Sequence, residues 1–422
     1  MAVVDFKKAA GSALRRRRNE AYDEEDARDE LYGGAPEEDT GEDLSESGVK
    51  RRRFVLLMRL LLAAAVIGVI AVFFIQRQSV RNYTAYEIRD SVPVSFPESS
   101  RLLDLGGKIL TCSRDGASLI DSSGKAQWNI TYEMQSPMVV TSGDSVAIAD
   151  EGGSVIHVMN VGGSVGTINT NMPISTIAVA ENGSVAAVLE DTSVSWVYLY
   201  DSAGKTVAYI KRSMDQSGYP LAAALSPDGR LLALSQLSVD GADIKTSIAF
   251  YNFGAVGQNA VENCVSGYDY RNEVIPFVRF LNREISVAVS DSRIAFFNGA
   301  DIPKSQADTF FSTRLSGVYT NEDFCALLFP DTTGNDRYEL QFFNTAGRQI
   351  GTLTFSMDYT SIRLDGDRAI ITDGQRCLIA SVNGDVRFDG TFTESAALII
   401  PTSTANKFLL VTKDAIETAY LR

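Results

Sequence analysis

Seven times between Asp121 and Ser381 an apolar, strand-like run ends in Asp, Asn or Ser, and a Gly follows within a few residues. The copies are LIDSSGK, HVMNVGG, LYDSAGK, FYNFG, FFNGA, FFNTAGR and IASVNGD, with the polar residue at Asp121, Asn160, Asp201, Asn252, Asn298, Asn344 and Ser381. The spacings are 39, 41, 51, 46, 46 and 37 residues. Asx side chains bond back to nearby amides and Gly takes the positive φ of tight turns, so each copy predicts a hairpin. Two further apolar strands precede each hairpin, as in MPISTIAVAENGSVAAVLEDTSVSWVYLYDSAGKTVAYI, which reads as four strands. No convincing amphipathic helix interrupts them. Four antiparallel strands at this period predict an all-β fold, a β-propeller whose blades stack around a central channel.

The ends of the chain set the blade count. After the turn at Ser381 the sequence holds IIPTS, KFLLVTK and AIETAYL, three strands without a fourth. Residues 83–88 (YTAYEI) form one strand with no partners of its own. Pairing it with the C-terminal strands of 397–421 completes an eighth blade and leaves no open edge; seven blades is the alternative. With strands lettered A to D from the axis outward, the repeated turns are C–D turns. They share a face with the A–B loops, opposite the B–C and D–A loops.

Before the propeller lies FVLLMRLLLAAAVIGVIAVFFI (54–75), with one charge, Arg59, and no Pro. At about 1.5 Å per residue it is long enough to span a hydrocarbon core of roughly 30 Å as a helix. The preceding 53 residues are too long for a signal-peptide n-region and no small-x-small site follows, so an uncleaved signal anchor is expected. The basic residues Lys50, Arg51, Arg52, Arg53 and Arg59 outweigh Arg77 and Arg81. That bias predicts a single-pass protein of the cell membrane, with a cytoplasmic N-terminus and an extracytoplasmic propeller joined by a linker of 76–82. Residues 1–53 carry a net charge of −3, with 13 acidic residues between Glu20 and Glu46, and read as a disordered charged tail. Its basic clusters serve either topology or a cytoplasmic partner.

The anchor after a charged tail, the DSSGK, DSAGK and NTAGR turns and the segment SPDGRLLALS beginning at Ser226 resemble a family of membrane-anchored β-propeller proteins of uncharacterised function from Gram-positive bacteria. These are distantly similar to WD40-like and quinoprotein-like propellers. The resemblance implies blades and no particular activity. LIDSSGKAQW also resembles the tryptophan-docking repeat of quinoprotein propellers at Asp121, Gly124, Lys125 and Trp128. It is one residue shorter, and Ala208 stands at the Trp position of the blade containing Asp201, so no quinone or other cofactor is expected.

The catalytic inventory is thin. The single histidine, His157, sits mid-strand in SVIHVMN and is expected to pack rather than react. Cys112, Cys264, Cys325 and Cys377 have no CxxC spacing and fall in four blades, so free thiols are expected, with Cys264 the most exposed. AGKT at Ala203 lacks the glycine and helix of a phosphate loop. DTTGND at Asp331 departs from EF-hand spacing, and no metal site is assigned. The segment after the span has a net charge of −12, which argues against a nucleic-acid partner.

Long irregular segments cluster at 211–219, 236–245, 256–273, 299–314 and 330–337, read as B–C or D–A loops of blades 3 to 6. Loops gathered on one face predict the partner-binding face. The candidate contacts are Tyr219, Asp240, Asp243, Tyr268, Asp269, Tyr270, Arg271, Asp331, Asp336 and Arg337. The leading reading is a membrane-tethered, non-catalytic module that binds or scaffolds a protein or polymer of the cell envelope. The alternatives are an extracytoplasmic hydrolase or lyase with an acidic site in the channel, and a single-pass sensor.

Overall fold

The computed structural model describes residues 82–422, except 98, 192, 193, 214–217 and 242, together with Met58, Arg59, Leu62 and Gly68, which are helical. The remainder of the expected span at 54–75 lies outside the described residues, as do the tail with Lys50, Arg51, Arg52 and Arg53, and most of the linker. Among the described residues no helix is long and apolar enough to cross a membrane.

The propeller has eight four-stranded antiparallel blades. Blade 1 comprises Arg101–Leu105, Lys108–Cys112, Gly116–Ile120 and Ala126–Thr131, and six further blades follow in chain order to Val386–Thr391. Blade 8 takes strands from both ends of the chain. Leu398–Pro401, Lys407–Val411 and Ala415–Leu421 are its strands A to C, and Tyr86–Pro93 is its strand D. Tyr86 stands opposite Leu421 and Pro93 opposite Ala415, so this outer strand begins on the face of the A–B and C–D turns. It starts three residues later than YTAYEI suggests; Tyr83 instead bridges to Phe388 of blade 7.

Each sheet has two faces, and each face packs on a neighbouring blade. Eight clusters of buried side chains result, one per seam. Strand B of blade 5, Ile285–Val289, divides accordingly. Ile285, Val287 and Val289 enter the seam with blade 6, while Ala288 enters the seam with blade 4. A strand buried on both faces must be apolar at nearly every position, which is why ISVAV and SVAIAD show no alternation.

The repeated turns explain their own composition. Asp121, Asp201 and Asn344 each accept hydrogen bonds from amides two and four residues on, at 2.9–3.1 Å. Gly204 and Gly384 have φ of +89° and +94°, and a Cβ on either would meet the backbone oxygen of Thr167 or Thr352 in the preceding blade at 2.7 or 2.3 Å. The turn therefore needs glycine for its φ and for the close approach. Just past each C–D turn, strand D carries a one-residue register shift, as between Leu119 and Ile120 or Phe342 and Phe343. The next paired residue then meets the following blade's turn. Trp128 donates its indole N–H to the Asn160 carbonyl at 2.9 Å, and Ser266 donates its hydroxyl to that of Pro303 at 2.8 Å. At Gly166 and Gly351 the turn backbone comes so near that no side chain fits.

Two of the five long segments change place. Residues 256–273 begin with the C–D connection of blade 4, which holds two 3-10 turns, Gly257–Asn259 and Val261–Asn263, and continue as strand D, Cys264–Arg271. Residues 299–314 likewise begin with the C–D turn of blade 5 and continue as its strand D, Lys304–Phe310. These connections lie on the opposite face from the one expected. Outermost strands are half-solvated, so CVSGYDYR and KSQADTF are polar enough to read as loop.

Candidate functional site

Of the predicted contacts, Tyr268, Asp269, Tyr270 and Arg271 lie in strand D of blade 4, not in a loop. Tyr270 is buried in the seam with blade 5, under the Arg293 guanidinium at 4.9 Å. Burial raises its phenol pKa above the ordinary value. Tyr268 donates its hydroxyl to the Pro303 carbonyl at 3.0 Å and accepts from the Ser305 amide at 3.1 Å, clamping the C–D turn of blade 5. Both tyrosines are thus engaged in holding neighbouring blades together. Asp269 is exposed and pairs with Lys245 at 3.4 Å. Arg271 is exposed at the end of the strand, opposite Lys245.

Tyr219 opens strand A of blade 4, Tyr219–Leu225, and donates its hydroxyl to Glu190 of blade 3. That bond, and burial after it, raises its pKa. Asp331 caps its own loop by accepting from the Thr333 and Asp336 amides at 3.0 Å. Hydrogen bonds led by the Thr333 hydroxyl lower its pKa to about 2. Asp336 accepts from Ser356 at 2.6 Å, and Arg337 pairs with Asp358 at 2.6 Å. The carboxylate of Asp331 is turned to the loop's own donors and that of Asp336 to Ser356 beside it. Among the described residues no group of three or more His, Cys, Asp or Glu is placed to hold a metal ion.

Asp240 and Asp243 face each other at the tip of a regular hairpin, Leu231–Asp240 and Asp243–Asn252, rather than in an irregular loop. Strand A pairs with it only as far as Leu237, and strand D only as far as Lys245. Residues 238–241 and 243 therefore extend past both neighbouring strands on the B–C face, while Ile244 accepts from the Asn272 amide at 2.8 Å. Val239 and Ile244 are paired there across the strands, 75% and 39% exposed.

The sequence pattern singles out no residue of the axial channel. Strand A is the edge strand of every sheet, and the A strands of neighbouring blades lie against each other around the axis. They enclose a cavity of about 410 Å³. Its wall includes Thr141, Ser142, Ala178, Ala223, Arg279 and Arg363, with Glu181, Asn321 and Glu322 in the A–B turns at its mouth. Side-chain bonds from one turn to the next fix that mouth. Ser145 donates to the Glu181 carbonyl, Asn182 to Asp228, Asn282 to Glu322 and Asn321 to Gly366, at 2.8–3.0 Å. Asp228 also pairs with Arg230 at 2.7 Å and with Arg283 of blade 5 at 3.0 Å. Burial alone would raise its pKa, but bonds from Ser226 and Arg230 bring it below the ordinary value.

Inside the channel Arg363 of blade 7 is paired with Asp104 of blade 1. His157 lies elsewhere, half-buried in blade 2 and stacked on Tyr132 with ring centroids 5.7 Å apart. Cys112, Cys325 and Cys377 are buried free thiols and Cys264 is exposed.

A ring of eight four-stranded blades around an axial cavity, with a mouth of linked turns, defines an eight-bladed β-propeller. Residues 79–421 match the family of unknown function DUF5711, and the chain belongs to that family. No curated protein matches. Among solved structures it is similar to the Dos1 propeller, at 9% identity and a TM-score of 0.50, over 79% of this chain and 95% of that one. It is also similar to BamB from Moraxella catarrhalis, at 13% identity and 0.46, over 80% and 100%. AztD from Citrobacter koseri stands at 12% and 0.47, over 70% and 87%. At such identities the likeness concerns the fold.

Proposed function

We propose that this chain is a non-catalytic, membrane-tethered propeller that binds or scaffolds a protein or polymer of the cell envelope. The observation that carries the reading is the overhanging hairpin of blade 4. A β-hairpin tip that leaves two branched apolar side chains, Val239 and Ile244, in water suits insertion into a partner's groove. The exposed carboxylate of Asp243 beside the tip favours a partner surface carrying basic groups. The tether rests on the apolar run at 54–75 and the basic residues before it. Tyr219 and Arg271 lie in the strands flanking the overhang and belong to the same face.

A photo-crosslinking residue at Val239, in cells expressing the full chain, tests the assignment. One dominant envelope adduct is expected, lost in a chain carrying Ile244→Asp. A probe at Ser123, on the other face, that captures the same adduct with equal yield would overturn it.

A further inference from the structure

We propose that the axial channel is a ligand site in which Arg279 binds the carboxylate or phosphate group of a small molecule whose far end carries hydrogen-bond donors.

Arg279 lies in strand A of blade 5, Phe277–Phe280, between Val278 and Phe280, which are buried in the seam with blade 4. Its side chain reaches the channel's solvent and lines the 410 Å³ cavity. Among the described residues it makes no hydrogen bond, ion pair or ring contact. Arg212, Arg293, Arg363 and Arg368, also drawn into the propeller, each pair with a carboxylate. The wall crowds Arg279 enough for burial to push its pKa down, with no carboxylate offsetting the effect.

The guanidinium is open to the channel's solvent and has no counter-ion among the described residues, and its planar fork of donors matches an oxyanion in two parallel hydrogen bonds. The cavity lies within the roughly 300–1,000 Å³ typical of small-molecule sites. The inner edges of the A strands add backbone amides and carbonyls that no partner strand occupies.

The mouth narrows the choice of ligand. Glu181 and Glu322 stand in the A–B turns, two to three residues beyond the level of Arg279, roughly 7 to 10 Å along the axis. The Glu181 side chain lies over Gly143, where a Cβ would meet its Cγ at 2.9 Å. A molecule anionic throughout would be repelled there. One with an oxyanion at its inner end and an ammonium or hydroxyl groups at its outer end satisfies both levels.

The test uses the full chain in detergent micelles, with inorganic phosphate, hexanoate and its ω-amino derivative as probes at constant ionic strength. Each probe is scored by the rise in melting temperature and by protection of Arg279 from phenylglyoxal, mapped by peptide mass spectrometry. Protection of Arg279 but not of Arg337 is expected, with the ω-amino acid more effective than hexanoate. The phosphate arm shows which oxyanion is preferred. Arg279→Met should weaken binding about tenfold or more, the loss of one charge-assisted pair of hydrogen bonds. Absence of protection by all three probes overturns the proposal, as does an undiminished melting shift in Arg279→Met. If that variant fails to fold, the protection experiment on the unaltered chain decides.

Discussion

Gly351→Ala should loosen the seam between blades 6 and 7. Gly351 lies in strand D of blade 6, Gln349–Phe355, just past the register shift. An added Cβ would sit 2.3 Å from the Val382 carbonyl oxygen and 2.7 Å from the backbone of Asn383. Those atoms belong to the C–D turn of blade 7, which the Ser381 amide to Asp385 bond and the Val382 amide to Asp367 bond hold at 2.8 and 2.9 Å. Ordinary contact requires a separation of about 3.4 Å, so the seam must open by about an ångström or the turn must break bonds. Overpacking of this kind costs about 2 to 3 kcal/mol. For the ring of residues 82–422 the unfolding entropy is about 0.7 kcal/mol per kelvin, so the melting temperature should fall by about 3 to 4 °C. Gly267→Ala is the matched control, since it also lies in an outer strand and its Cβ would find nothing closer than the Ile248 oxygen at 3.9 Å. It should melt unchanged or slightly higher. Thermal scans followed by circular dichroism compare the two, and melting of both variants within about 1 °C of each other would refute the seam argument.

Two further outcomes follow from buried titratable groups. Burial pushes the Cys112 and Cys377 thiols up to about 12 and Cys325 higher still, so maleimide at neutral pH should label only Cys264 before denaturation and all four thiols after it. Labelling of Cys377 at the rate of Cys264 would mean that the seam between blades 7 and 8 is open. Burial also lowers the pKa of His157 below its ordinary 6.5, so the folded state favours the neutral ring. The stability this contributes is complete above 6.5 and is lost as pH falls through the lower folded value. Since His157 is the only histidine, His157→Phe should remove that component. The two proteins' melting temperatures should draw together, or cross, on acidification, and a constant gap would refute the assignment.

The turns and the closure of the ring were legible because each is imposed by local backbone chemistry. The seven C–D turns carry Asp, Asn or Ser and a glycine, and three strands left over at one end need a fourth from the other. The outer strands of blades 4 and 5 were not legible. In Cys264–Arg271 one face is solvated, so the apolar signal drops and eleven residues of connection before it hide the hairpin. Tyr270 shows the cost of that misreading, since an aromatic beside an Asp and an Arg looks like a surface anchor until the strand is seen to point it into the seam. The one-residue shift within strand D left no mark in composition at all. It alters pairing, not residue type.

The same packing logic indicates where chemistry has room. Both faces of every sheet are consumed in seams, so polar function is confined to turns, outer strands and the inner edges around the axis. Inner strands sit where hydrophobic demand remains high, as in LII, IAV and LAAAL. A charge placed there opposes the pattern and requires a reason. Asp104 and Arg363 supply one to each other. Arg279, in FVRFL, has none from the described chain, and the signal was present in the sequence as a lone cation between three large apolar residues of a short strand. It became interpretable only once that strand was placed at the axis, because the same residues on an outer strand would put the guanidinium in bulk water, where it needs no partner.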